Sequence, residues 1–279
     1  MHKETFYTNK DIKDTRLAVF SDLHYYPNFP SKIFKSITKQ IKDSNPDYIL
    51  ILGDILDSAD YTELDDLKDF LTTIANIAPV IAITGNHDQK AGYRHHWNSY
   101  SNKELIRILN SIKNVHLIDN NQYQINNINF SGLCPDYDYY DNEEKYEDFV
   151  KIAEESKIKL KDDNYNITLI HSPINVYDYL RKNKEANLNK SDLILSGHMH
   201  NGILPYWFTK IINKTFHTTR GIISPNMTPL PKYSQGRTYE RDGYIYQGIS
   251  KLSKSTKHFF FFDRFFIKKI VVLDIKKHQ

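Results

Sequence analysis

The chain has 279 residues, 40% hydrophobic and 25% charged, which is the composition of a globular protein with a sizeable core and unlike that of a disordered or fibrous chain. A net charge of +3 is too small to argue for nucleic acid as a partner. Cys134 is the single cysteine, which excludes an intrachain disulfide and a thiolate metal cage and fits a reducing compartment.

In chain order, residues 1–10 are polar and lack a signal-peptide core. Residues 17–20 form the first short apolar run and lead into Ser21, Asp22, Leu23 and His24. Ser31 is placed to N-cap a helix with Ile33, Phe34, Ile37 and Ile41 on one face. The run 48–52 leads into Gly53 and Asp54, and Leu64, Leu67, Leu71, Ile74 and Ile77 mark a second helix. After Pro79, the run 80–84 leads into Gly85, Asn86, His87 and Asp88; Leu105, Ile108, Leu109 and Ile112 mark a third helix. Two further runs, 167–170 and 193–195, end on His171 and on Ser196, Gly197, His198, Met199 and His200. Short, β-branched runs bounded by glycine and turn residues read as buried strands. Their alternation with helices predicts βαβ units and a central sheet covered on both faces.

Past Gly202 the helical pattern fades, and strand-like stretches at 243–248 and 267–275 predict a more antiparallel second sheet. Residues 136–163 carry 11 acidic against 5 basic residues, and 251–279 carry 8 basic against 2 acidic. The first stretch reads as a polar, lid-like insertion. With no repeat and no flexible linker, the whole chain, 1–279, reads as a single domain. No apolar stretch approaches the roughly 20 residues that span a bilayer.

Five predicted strands thus end on polar residues, and ligands of open α/β sheets bind beyond the carboxyl ends of the strands. A two-ion hydrolase needs a carboxylate shared between the ions, with imidazoles and hard oxygens completing each set. Asp22 and His24, two apart, can point to one side; Asp54 supplies a second carboxylate, Asn86 an amide oxygen, and His171, His198 and His200 imidazoles. Five of the 12 histidines fall in these motifs. Singly each motif is weak, since a lone strand-end histidine is usually structural; as an ordered set they are specific.

The set Asp22-Leu23-His24, Gly53-Asp54, Gly85-Asn86-His87-Asp88, His171 and Gly197-His198-Met199-His200 resembles the calcineurin-like metallophosphoesterase family. The resemblance implies an α/β fold, a four-layer α/β/β/α sandwich with two mixed central sheets. It implies one metal at Asp22, His24, Asp54 and His200 and another at Asp54, Asn86, His171 and His198. By the same likeness Asn86 and His87 contact the substrate phosphate, His87 is a catalytic residue that protonates the leaving oxygen, and Asp88 orients its ring. The continuation of the last motif through Gly202 to Pro205 resembles a bacterial branch of YkuE-type phosphodiesterases. Members of that branch often carry an N-terminal export signal or anchor, which leaves room for such a segment upstream of this chain.

The implied reaction is hydrolysis of a phosphate ester, most simply a diester, by a hydroxide bridging two ions, with donors that suit manganese, iron or zinc. Arg94, in the stretch Tyr93 to His96, is placed to clamp a phosphate oxygen. Six phenylalanines within 258–266, flanked by Lys254, Lys257, Lys268 and Lys269, read as core or as a basic apolar lip over 258–269 for a membrane surface or a lipid-like substrate. The expected partner is a small phosphorylated molecule, with no nucleic acid; localisation stays open between cytoplasmic and membrane-associated. Two rival readings are a catalytically silent scaffold of the same fold and a DNA-directed nuclease.

Overall fold

The protein is seen in a computed structural model that describes residues 2–91, 98–99, 102–135, 146–198, 237–240, 243–247 and 270–278. Among these, two six-stranded sheets stack face to face. The first contains, in spatial order, β1 (His2–Thr8), β14 (Val271–Lys277), β2 (Thr15–Phe20), β3 (Tyr48–Leu52), β4 (Val80–Ile83) and β7 (Val115–Leu117). The second contains β12 (Arg237–Glu240), β13 (Gly243–Gln247), β11 (Leu193–Ser196), β10 (Tyr165–Ile170), β9 (Ile128–Leu133) and β8 (Asn121–Ile125). A two-stranded ladder joins β5 (Lys90–Ala91) to β6 (Asn98–Ser99).

Period-two alternation assigns each strand residue to a layer. Ala18 and Phe20 of β2, Ile49 and Ile51 of β3, and Val80 and Ala82 of β4 pack against α1 (Ser31–Ser44), α2 (Asp65–Ala75) and α4 (Lys103–Ser111). Their neighbours Leu17, Val19, Leu50, Leu52, Ile81 and Ile83 meet Phe130, Ile167, Leu169, Leu193 and Leu195 of the second sheet. Ile170 and Ile194 turn the other way, onto α5 (Tyr146–Glu155) and α6 (Val176–Lys182) through Phe149, Val176 and Tyr179. The result is the expected α/β/β/α sandwich. A buried leucine or isoleucine at any of these positions contributes about 2–3 kcal/mol of transfer free energy.

Three local expectations are corrected. Ser31 is not an N-cap: Pro30 holds that place with φ −61° and ψ 112°, and its carbonyl accepts from Ile33 N–H at 2.8 Å, since the fixed proline φ suits a helix entry without a side-chain acceptor. The stretch 271–277 belongs to the first sheet, antiparallel to β2 and parallel to β1, because its apolar residues serve both the helix side and the inter-sheet side. The second sheet is parallel through β9, β10, β11 and β13, and antiparallel only at its edges, β8 and β12. Of the acidic stretch, the described helix α5 is anchored to the second sheet by fully buried Phe149; 136–145 lies outside the described residues, as does the aromatic stretch 258–269.

Candidate metal centre

The parallel strands β2, β3, β4, β10 and β11 all deliver their carboxyl ends to one edge of the sandwich. Asp22, Asp54, Asn86, His171 and His198 follow them within two residues or, for Asn86, three. The loops after β2 and β3 are laced together by main-chain bonds: Asp22 N–H to Gly53 O (3.1 Å), His24 N–H to Asp54 O (3.0 Å), Tyr25 N–H to Ile55 O (2.8 Å) and Asp57 N–H to Tyr25 O (2.9 Å). Four of the expected donor residues have left-handed backbones, Asp22 (φ 55°), His24 (47°), Asp54 (50°) and His198 (66°). Aspartate and histidine tolerate that region better than most residues, yet such strain persists only where the surroundings hold it, and it concentrates at functional sites.

Two glycines make room. Gly53 has φ +85°, and a Cβ there would lie 2.7 Å from His171 Nδ1. At Gly197 a Cβ would run into Ser21 Oγ and come within 3.0 Å of Asp22 Oδ2. Without it, Gly197 N–H bonds to His171 O (2.9 Å) and His198 N–H reaches Asp22 Oδ1 (3.1 Å). Any side chain at 197 pushes the second sheet's histidine loop away from the first sheet.

One donor set is complete. His171 Nδ1 donates to Leu52 O at 2.7 Å, which turns Nε2 inward, 3.1 Å from Asn86 Oδ1 and 3.2 Å from Asp54 Oδ2. His198 Nδ1 lies 3.1 Å from the same Asn86 oxygen. Ligands about 2.0–2.2 Å from one ion would sit about 3.0–3.5 Å from each other, so these spacings are compatible with donors to a single ion. Asp54 Oδ2 is buried and makes no hydrogen bond among the described residues, while Asp54 Oδ1 accepts the His87 N–H at 2.8 Å.

The second set shares Asp54. Asp22, His24 and Asp54 bring one ligand atom each within 4.8 Å of one another, with His24 Nε2 3.6 Å from Asp54 Oδ2. The remaining residue expected here, His200, lies outside the described residues, as do Arg94 and the rest of 93–96. Asp57, which the motif reading passed over, stands behind this set with Oδ1 3.2 Å from His24 Nδ1. The signal available for it was a carboxylate three residues after Asp54 on the same strand-end loop.

The electrostatics ask for cations. Asp22, His24, Asp54 and His171 are each 1% exposed or less, and buried charge is costly unless compensated. Burial raises the Asp22 carboxyl. It also acts upward on Asp54, but His171 and His87 outweigh it and hold Asp54 well below the usual carboxylate range. Burial opposes charging His171, yet Asp54 and Asp22 together push it up to about 9. His171 is thus drawn toward a proton that a metal ion would replace, and hard oxygens with neutral imidazoles are the donors such ions take. The residues fit a pair of metal ions.

His87 is half-buried at the rim. Its Nδ1 donates to Asp57 O at 2.8 Å, which leaves Nε2 as the ring atom able to pass a proton, and its ring packs edge-on to that of His24 at 4.6 Å. Burial lowers its pKa, making the charged form the stronger acid. The expectation that Asp88 orients this ring is corrected: the Asp88 carboxylate accepts from Leu56 N–H (2.7 Å), Gly85 N–H (2.8 Å) and Ile55 N–H (3.2 Å). Asp88 therefore ties the loop after β3 to the turn after β4. A helix begins at Asn86, and α3 (Asn86–Gln89) is too tight for residue 88 to fold back onto the side chain of residue 87.

A four-layer sandwich with aspartate, asparagine and histidine donors gathered at the strand ends of both sheets defines a two-ion metalloprotein of the α/β class. The family model for calcineurin-like phosphoesterases matches residues 15–202, and the chain belongs to that family. It is 25% identical over 208 residues to an uncharacterized metallophosphoesterase of Campylobacter jejuni, an alignment covering 73% of this chain and 49% of the relative. An uncharacterized metallophosphoesterase of Aquifex aeolicus is 26% identical over 226 residues, covering 80% and 77%. The UDP-2,3-diacylglucosamine pyrophosphatase LpxG of Chlamydia muridarum is 30% identical over 73 residues, covering 26% and 22%. The chain thus spans about half the length of the Campylobacter relative. Among solved structures, a dimetal phosphatase from Danio rerio aligns with TM-score 0.43 and 10% identity, covering 84% of this chain and 87% of that one.

Proposed function

We propose that the protein hydrolyses a phosphate ester, preferentially a diester, at a two-ion centre shared through Asp54. The observation that carries this reading is the convergence of Asp54 Oδ2, His171 Nε2 and Asn86 Oδ1 at 3.1–3.2 Å, next to a second set that uses the same carboxylate. Ions held there would supply Lewis-acid polarisation of the phosphoryl oxygens and would make water more acidic. The chain's own part is geometric. Asp22, His24, Asp54 and His200 would hold one ion; Asp54, Asn86, His171 and His198 the other. Main-chain bonds from His198 to Asp22 and from His87 to Asp54 occupy one oxygen of each carboxylate and aim the other inward. His87 Nε2 gives its proton to the departing oxygen, a step worth about 10²–10⁴-fold. The choice of manganese, iron or zinc is left to metal analysis of the purified protein.

The native substrate is a small phosphorylated molecule, with a lipid-like one as the first candidate and a peripheral membrane contact through 258–269. The support is the aromatic and basic character of that stretch and the short match to a relative named for a diacylated, pyrophosphate-containing substrate. The small net charge of +3 weighs against DNA.

The test is turnover of bis-p-nitrophenyl phosphate after Mn²⁺ loading, for wild type and Asp54→Ala. Chelator-sensitive activity that vanishes in the variant supports the reading. Failure with diester, with p-nitrophenyl phosphate and with Fe²⁺ and Zn²⁺ in turn would overturn it in favour of a silent scaffold.

A further inference from the structure

We infer that a groove between α1 and α2 binds a membrane phosphatidylethanolamine, with an acyl chain on a phenylalanine floor, the phosphate on a lysine wall and the ammonium on an aspartate wall. The site is separate from the metal centre and needs no ion. The groove encloses about 480 Å³, which suits one small molecule. Its floor is Phe29, Phe34 and Phe70, with the Phe34 and Phe70 rings stacked at 4.4 Å and Phe29 against Phe34 at 5.0 Å. Phe29 and Phe70 are buried and Phe34 only in part, so aromatic surface stays open at the bottom of the groove.

The walls carry opposite charges. Lys35, Lys39 and Lys42 of α1 are spaced four and three residues apart and so share one face of that helix, while Asp66 and Asp69 of α2 line the other side. Lys39 pairs with Asp43 at 2.5 Å. Among the described residues Lys35 and Lys42 have no ion-pair partner, and neither have Asp66 and Asp69. Two cations on one wall and two anions on the other complement a head group that carries both signs. A phosphate accepts from lysine ammonium groups, and a primary ammonium donates to carboxylates. A singly anionic head would meet Asp66 and Asp69 as like charges, and a trimethylated ammonium has no N–H to donate. Exposed ion pairs contribute little affinity by themselves, whereas each methylene buried against the rings tightens binding about fourfold. The charges therefore select the head, and the phenylalanines hold the chain.

The test titrates lysophosphatidylethanolamine with six-, eight- and ten-carbon chains, below micelle formation, into the full Mn²⁺-loaded chain by calorimetry. Wild type should gain about fourfold in affinity per methylene, and glycerophosphoethanolamine, the same head without a chain, should not bind. At equal chain length the ethanolamine head should bind more tightly than phosphoglycerol or phosphocholine. Lys35→Glu with Lys42→Glu should weaken binding by about 2–30-fold, and Asp66→Lys with Asp69→Lys should reverse the preference toward phosphoglycerol. All four residues are exposed, so both double variants should match wild type in urea melts. Vesicles of phosphatidylethanolamine and phosphatidylcholine should float wild type but not the lysine double variant, and vesicles of phosphatidylcholine alone neither. Affinity independent of chain length, or unchanged in both double variants, would overturn the inference. Probe binding without variant-sensitive flotation would overturn the membrane source. Turnover of bis-p-nitrophenyl phosphate should be equal in wild type and both double variants; its absence from wild type would count against the two-ion reading and leave the groove to be judged by calorimetry.

Discussion

The two sheets contribute to the centre in different ways. The first supplies both shared-site carboxylates, Asp22 and Asp54, on loops laced by four main-chain bonds, and three of the four left-handed donor residues lie on those loops. The second supplies imidazoles, His171 and His198, on two loops joined by a main-chain bond from Gly197 N–H to His171 O. Carboxylates repel one another and need a rigid frame to be held together, whereas an imidazole needs only one hydrogen bond behind it to aim the other nitrogen. The first sheet is therefore the frame and the second the closing half. The distance between them is set by the core in which Phe130 of β9 packs on Tyr48 of β3 at 5.2 Å.

The comparison can be broken or sharpened by four variants. Asp54→Ala has the largest expected effect, since this residue of the frame serves both sets: turnover should drop to background and metal content, read by inductively coupled plasma analysis, should fall for both ions. His87→Ala should lower kcat by about 10²–10⁴-fold with both ions retained; loss of an ion along with activity would show that the ring is structural. Phe130→Ala, in the seam between the sheets, should cost about 3–5 kcal/mol in denaturant unfolding. If frame and closing half are separate contributions, the surviving folded protein should lose affinity at the His171/His198 set first. Unchanged affinity there would show that the seam does not set the distance.

The smallest effect is expected far from the centre. Asp274 on β14 pairs with Arg16 Nε at 2.6 Å and Lys3 Nζ at 2.8 Å, joining β1, β14 and β2. Burial acts upward on its carboxyl, but the Arg16 and Lys3 bonds outweigh this and hold its pKa below the usual range. A depressed carboxylate pKa stabilises the fold above the unfolded value of about 3.9, and the contribution fades as pH falls through the folded value. Asp274→Asn should cost about 1–3 kcal/mol near pH 7 and progressively less below about pH 4, as read from urea melts across pH. Activity per folded molecule should be unchanged.

The sequence by itself determined the strands that carry the site, because short apolar runs ending on Asp54, Asn86, His171 and His198 have one reading as buried strands with ligands at their carboxyl ends. It also named the candidate donors that the fold gathers, because few structural needs would place so many hard and imidazole donors at successive strand ends. What only the tertiary structure decided was which sheet takes 271–277, what Asp88 binds and where Asp57 lies. A strand's pattern records that both its faces are buried and not which neighbour buries them. A carboxylate beside a histidine in sequence says nothing of direction on a helical turn, where consecutive side chains diverge by about 100°. Asp88 therefore binds three backbone amides, and the contacts to His24 and His87 come from Asp57, thirty residues earlier than His87, because folding brings the loop after β3 beneath both rings.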